Sequence, residues 1–374
     1  MNLDEARALL NRRHKNPGQV MLDIIKRDGY IVAPGCHDGM TAAITRMTHD
    51  AVIKAGMKPV CEAVYGSGWS ASAMRRYLPD MGFHDRTEMT QLARFLVEGA
   101  YPLPVILDGE TGFGPRVAIP ELVRLYSDAG VAVIHLEDQP QDRRCGHMGG
   151  KEVDDLNSML TKLSLSMLTL DAIGSDMLLM ARTDAYDAAN GGPQEAIRRA
   201  KAFADLRVDG CKRRVDFIWC ELPDADPEKA RAFAKEMREY APDTMLALNY
   251  SPNMDQAAWY HKHGVTPATY TDYAAMGYSL MFHTVWSAKV MMEPFYDRTL
   301  DMMQRGAQAL YDFQDDLRGH PTASGQSMSR AKEYQDLEKF VGGEEAAKRF
   351  ANSRGFGSTG AGAIHDVGSE PNGS

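Results

Sequence analysis

PVILDGETGFGPRVAIPELVRLYSDAGVAVIHLEDQ, residues 104–139, reads as one complete strand–helix–strand unit. Pro104–Asp108 is a short apolar run that breaks into Gly and acid. Ile119–Ala129 carries apolar residues at helical spacing and stops at Gly130. Val131–Glu137 is a second near-continuous apolar run. Strands without polar alternation are covered on both faces, and two of them joined through a helix must lie parallel.

The same grammar repeats outward in both directions. Further strands are expected at Ile31–Gly35, Pro59–Val64, Met177–Ala181, Asp216–Glu221, Met245–Asn249 and Ser279–Thr284, with helices at Glu88–Glu98, Gln194–Phe203 and Pro227–Tyr240. Eight parallel strands alternating with helices predict closure into a (β/α)8 TIM-type barrel. An open doubly wound sheet is disfavoured because no GxGxxG or GxxxxGK[ST] follows the first strand. The expected organisation is an N-terminal helical segment over 1–28, the barrel over 29–317, a helical extension over 318–352 and a Gly/Ser-rich flexible tail over 353–374.

Composition limits the function. With 44% hydrophobic and 25% charged residues in 374, the chain can bury a large core. A formal charge of −9 argues against a nucleic-acid or anionic-membrane partner. No apolar run is long enough to span a bilayer and no signal peptide is legible. Five cysteines without framework spacing suit reduced thiols in a cytoplasmic protein.

In a barrel, catalytic side chains sit where strands end. Polar residues cluster at six of the expected ends: Tyr65–Trp69, Asp108–Gly114, Glu137–Gln139, Arg182–Asp184, Glu221 and Asn249–Asn253. One such cluster would be an ordinary turn or cap; six in register indicate a site. Asp108, Glu110 and Glu137 offer hard oxygen ligands for magnesium, though pairing with barrel arginines accounts for them equally well. Arg182 can grip a carboxylate with its planar fork. The loop Gln141–Lys151 places Cys145 between arginines and a histidine, which is expected to lower its pKa and ready it for proton transfer. Its glycines allow lid motion.

These motifs resemble the isocitrate lyase and phosphoenolpyruvate mutase superfamily, and within it the isocitrate lyase branch. Arg143-Arg144-Cys145-Gly146-His147 is similar to the signature KKCGH, and Asp108–Gly114 to the family's magnesium loop. Ser67–Trp69, Glu137–Gln139, Ala181–Ala185 and Asn249–Pro252 match as well, so the likeness runs from about Gly29 to Phe340. It implies Mg2+, or Mn2+ in its place, on Asp108 with Asp80, Glu110 and Glu137. It implies carboxylate holders in Ser67, Gly68, Trp69, Gly146, His147, Arg182, Asn249, Ser251, Asn253 and Thr284. Cys145 would be the acid that protonates a succinate-like carbanion, Tyr65 the base, and Glu221 an active-site carboxylate; Arg143 and His147 would join the catalytic group.

The activity implied is retro-aldol (Claisen-type) cleavage of isocitrate, a small tricarboxylate, to glyoxylate and succinate. Homotetramers with exchanged C-terminal helices are implied too. Two positions depart from the pattern: Arg143 replaces the first lysine of KKCGH, and Asn253 the second serine of SPS. The alternatives are cleavage of 2-methylisocitrate or another substituted malate or succinate, and a non-catalytic dicarboxylate-binding relative.

Overall fold

The computed structural model describes residues 1–348. Eight strands, β1 (Ile31–Cys36), β2 (Val64–Gly66), β3 (Val105–Asp108), β4 (Val133–Glu137), β5 (Leu178–Thr183), β6 (Phe217–Cys220), β7 (Met245–Asn249) and β8 (Tyr278–His283), form a closed parallel barrel in sequence order. β8 closes onto β1, with Ile31 opposite Leu280. All eight expected strands are present, and the TIM-type barrel is the observed fold.

Side-chain parity sorts the core into two layers. Ile106, Val133, Met180, Trp219 and Phe282 point into the barrel, where Met21 from the helix Pro17–Asp28 joins them. Leu107, Ile134, Leu179 and Met281 point outward against helices, meeting Leu92, Leu122, Leu163 and Phe233 among others. Because Ile106 and Val133 face inward, so do Asp108, His135 and Glu137, two or four residues on. Register then places Asp108 beside His135 and Glu137 beside Arg182.

Most strand ends shift from expectation by one or two residues, and two of the shifts bear on the site. β2 begins at Val64, where the sequence predicts a strand from Pro59; residues 59–63 contribute only an isolated bridge between Val32 and Cys61. Pro59 has no N–H for a ladder, and β2 forms where the chain comes between β1 and β3. β5 runs on through Thr183, so Arg182 is a strand residue rather than one that follows the strand.

The helices start and stop on local signals. Asp85 and Glu88 make a reciprocal capping box for Arg86–Ala100, and Gly130, at φ 90°, ends Ile119–Ala129. Arg13–Lys289 forms one compact unit that contains the barrel; Met1–Arg12 and the described residues from Val290 to 348 form a second. That second unit contains Leu3–Leu10, most of Trp286–Arg305, Ala307–Asp316, Gly325–Met328 and Ala331–Lys348, the last interrupted by non-helical Gly343. The expected tail over 353–374 lies outside the described residues. Among the described residues, no helix is long and apolar enough to cross a membrane.

Candidate active site

The strand ends converge on one cavity. Tyr65, Ser67, Trp69, Asp80, Asp108, Cys145, Gly146, His147, Arg182, Glu221, Asn249, Asn253 and Thr284 line it, all singled out from sequence. Gly68, Glu110, Glu137, Arg143 and Ser251 stand directly behind this lining. Trp219 and Val285 also line the cavity, and sequence reading passed over both.

The β3–β4 side is acidic. Asp108 accepts from the Gly68 N–H at 3.0 Å and the Glu110 N–H at 2.8 Å. A Cβ at Gly68 would meet Glu110 Oε1 at 2.8 Å and Asp108 Oδ2 at 2.9 Å, so a larger residue there would displace these carboxylates. Glu110 itself sits at φ 44°, a left-handed conformation disfavoured for its residue type. Arg143 is buried among these acids, pairing with Glu137 through Nε and Asp80 through Nη1, with Glu110 at 3.6 Å. Arg143 therefore acts here as the counter-cation of the acidic cluster, the ion-pairing alternative weighed for these acids.

Donor chemistry also suits a hard divalent ion. Glu110 Oε1 and Glu137 Oε2 are buried without a hydrogen-bond partner, and carboxylate oxygen is what magnesium binds. Among the described residues no three His, Cys, Asp or Glu side chains are grouped so as to hold a metal ion as they stand. Burial pushes Glu110 well above the usual carboxylate range and Glu137 up to about 7, against the pull of Arg143.

Arg182 is more committed than a free clamp. Its Nε and Nη2 donate to Asp184, both at 2.9 Å, and Nη1 lies 3.4 Å from Glu137 Oε2. Its guanidinium stacks over the Trp219 ring at 4.2 Å. A substrate carboxylate must share that fork or displace Asp184.

The β6–β8 side is built mostly of neutral donors around one ion pair. His147 Nε2 lies 2.7 Å from Glu221 Oε1, and Asn249 Nδ2 donates to the same oxygen at 3.0 Å. Burial lowers the His147 pKa, but Glu221 more than offsets this and the net shift is upward. Burial likewise raises Glu221, and His147 and Arg182 bring it below its ordinary value. Thr284 Oγ1 donates to Ser251 Oγ at 3.0 Å, and Ser251 Oγ accepts from the Asn253 N–H at 3.1 Å.

Cys145 corrects the sequence reading. Instead of being lowered by its basic neighbours, its pKa is pushed up to about 12, because burial outweighs the stabilisation a thiolate would gain from Arg182 and Arg143. The resting group is a thiol with a proton to give. Burial also holds Tyr65 as a neutral phenol. Its hydroxyl lies 2.8 Å from His135 Nε2, and His135, brought down to about 4 by burial, is uncharged. His135 and Trp219 escaped notice because both lie inside apolar runs. Their signal was parity: each is two residues before an inward-facing acid, Glu137 or Glu221.

A family model described as phosphoenolpyruvate phosphomutase matches residues 21–242. Isocitrate lyase of Haloferax volcanii is 32% identical over 336 residues, 89% of each chain. 2,3-Dimethylmalate lyase of Eubacterium barkeri is 36% identical over 58% of this chain and 67% of its own length. A crystal structure of 2,3-dimethylmalate lyase, described as a PEP mutase/isocitrate lyase superfamily member, superposes with a TM-score of 0.68. That match has 23% identity and covers 88% of this chain and 97% of the other; it supports the fold.

Proposed function

The chain belongs to the phosphoenolpyruvate mutase/isocitrate lyase superfamily and is a carbon–carbon lyase, and from that premise we propose that it cleaves isocitrate to glyoxylate and succinate with the help of magnesium. The observation that carries this reading is the pairing, in one cavity, of an acid-rich wall on β3–β4 with a wall of neutral donors on β6–β8, and a half-buried neutral thiol between them. Asp108, supported by Asp80, Glu110 and Glu137, would hold the metal. Magnesium, when bound, supplies polarisation of the oxygen that becomes the glyoxylate carbonyl.

The protein's own groups do the rest. Ser67, Trp69, Asn249, Ser251 and Thr284 orient the carboxylates, with Arg182 and His147 adding charge where the leaving carbanion develops it. Tyr65, which lines the cavity and is hydrogen-bonded to His135, is the group placed to receive the substrate hydroxyl proton; at rest it is a phenol, and it acts as a base only from its phenolate form. Cys145 Sγ–H protonates the succinate-like carbon; a thiol held near pKa 12 keeps that proton until a strong base forms beside it.

A second reading has its own support. Val285 gives the cavity an apolar wall beside Thr284, and the dimethylmalate lyase relative is 36% identical where it aligns. Cleavage of 2-methylisocitrate or a methylated malate would use the same machinery. An extra methyl group changes selectivity by only about 1–3 kcal/mol.

The exposed residues Val290, Met291, Met292, Phe295 and Tyr296 on Trp286–Arg305 support a homotetramer with exchanged helices, to be checked by light scattering on the eluting protein. The function is tested by offering isocitrate, 2-methylisocitrate and 2,3-dimethylmalate separately with magnesium, with and without EDTA. Glyoxylate from isocitrate, lost in EDTA, is the expected result. Pyruvate from 2-methylisocitrate, or keto acid from dimethylmalate, with isocitrate left intact would move the function to the second reading.

A further inference from the structure

The loop that carries Cys145 and His147 is pinned at its two ends by different means. At the start, Gln139 makes a two-way clasp with the Arg144 backbone, donating to its carbonyl at 2.9 Å and accepting from its N–H at 3.0 Å. At the far end, the Lys151 carbonyl accepts from Ala189 N at 2.9 Å. Asn190 clasps the Val153 backbone in the same two-way manner, at 2.8 and 2.9 Å. Between these anchors lie Gly146, Gly149 and Gly150, so little in the backbone itself holds the segment down.

Besides the Arg144 Nη1 bond to the Gly149 carbonyl at 3.4 Å and the His147–Glu221 pair, one side chain reaches back across that span from its far end. Lys151 is 1% exposed, and its Nζ donates to the Gly146 carbonyl at 2.6 Å. The same ammonium lies 2.6 Å from Asp187 Oδ1 and 3.5 Å from Asp184 Oδ1. Asp184 is also the carboxylate that holds the Arg182 fork. Gly146 is pressed onto that same group: a Cβ there would lie 2.3 Å from Arg182 Nη2, 3.0 Å from Asp184 Oδ1 and 3.0 Å from Glu221 Cγ. The closed position therefore needs a residue without a side chain at 146 and a tether for its carbonyl. Lys151 is that tether.

We propose that Lys151 is a positioning residue: its ammonium, braced by Asp184 and Asp187, latches the Gly146 carbonyl and so holds Cys145 and His147 over the cavity. This rests on the reading that Cys145 and His147 act on the substrate. The latch has a second consequence. Asp184 Oδ1 is shared between Lys151 and Arg182, so a substrate carboxylate that takes over the Arg182 fork leaves Asp184 freer for Lys151 and tightens the loop over its load. Lys151 does not itself line the cavity, and it pairs with none of the acids around Arg143. Its loss should change loop closure without changing cation binding.

The test is the rate at which N-ethylmaleimide modifies Cys145 in the full chain, followed peptide by peptide by mass spectrometry. Cys61 and Cys211, partly exposed like Cys145 itself, serve as internal references. Removing a buried charge-assisted bond in Lys151→Met should speed Cys145 modification about ten-fold or more, with the two references unchanged. Lys151→Arg, which keeps the charge, should stay nearer the parent. Mn2+ affinity by electron paramagnetic resonance should be the same in all variants, and in Lys151→Met kcat should fall more than KM rises.

If Lys151→Met loses its far-UV circular dichroism, Asp187→Asn decides, since Asp187 is half-exposed and its change leaves Lys151 packed; a several-fold faster Cys145 is expected. Parent-like modification in the folded Lys151→Met, or in Asp187→Asn where that variant decides, overturns the latch. Faster modification in a protein that cleaves none of the offered acids would uphold the latch and remove the proposed activity instead.

Discussion

The two walls of the cavity solve opposite problems. Beside β3 and β4, Asp80, Asp108, Glu110 and Glu137 crowd around the Arg143 guanidinium, and two of their oxygens are left without hydrogen-bond partners. On β6–β8, Asn249, Ser251, Thr284 and Asn253 are linked through neutral donors around the one ion pair, His147–Glu221, and there Glu221 Oε2 and Asn249 Oδ1 are likewise buried without a hydrogen-bond partner. A wall with surplus negative charge suits a cation. A wall of neutral donors suits carboxylates, because it binds them without a fixed positive charge that would also neutralise the acids opposite. Cys145 sits between the two and belongs to neither.

The largest expected effect breaks the link between the walls. Cys145→Ser keeps the shape of the loop but replaces the thiol with a much weaker acid. kcat should fall by about 10²–10⁴-fold, read by steady-state assay, while Mn2+ affinity and thermal stability stay as in the parent. A fall in metal affinity would place Cys145 with the acidic wall after all.

Next comes the counter-cation. Arg143→Met leaves four buried carboxylates facing one another, and breaking a buried pair costs about 3–5 kcal/mol. Denaturant unfolding in EDTA should show that loss, and magnesium should restore part of it by supplying the missing charge. Equal losses with and without magnesium would mean the acids do not take up a metal ion.

A smaller effect separates the β6–β8 wall by pH. The folded His147 pKa lies above its ordinary 6.5. The stability contributed by the His147–Glu221 pair is therefore complete below about pH 6.5 and is lost as pH rises through the folded value. Thermal melts of the parent should show that decline, and His147→Gln should flatten it. The smallest effect is expected at the mouth of the cavity: Asn253→Ser keeps the backbone bond to Ser251 and should change KM by only a few-fold, about the worth of one exposed hydrogen bond.

Much of this division was legible in the sequence. The eight apolar runs located the strands because strands covered on both faces cannot hide their composition, and polar clusters at their ends marked the cavity lining. Three things were less legible, each for a physical reason. The start of β2 was misplaced because residues 59–63 are apolar enough to read as a strand while Pro59 breaks the ladder. The Cys145 pKa was misjudged because sequence shows the neighbouring charges but not the burial that outweighs them. Arg143 was grouped with the reactive residues because its contacts lie 63 residues away at Asp80 and 6 away at Glu137, a tertiary arrangement that no local motif shows. His135 and Trp219 were recoverable in principle, by carrying inward-facing parity back along the strand from Glu137 and Glu221.

The central claim is that this cavity breaks a carbon–carbon bond of isocitrate and that Cys145 returns a proton to the leaving fragment. The most direct measurement is the mass spectrum of the products after incubation with isocitrate and magnesium in D2O, where the thiol carries deuterium. Equimolar glyoxylate and succinate are expected, with one non-exchangeable deuterium in each succinate. Isocitrate recovered intact from folded protein with magnesium bound would contradict it.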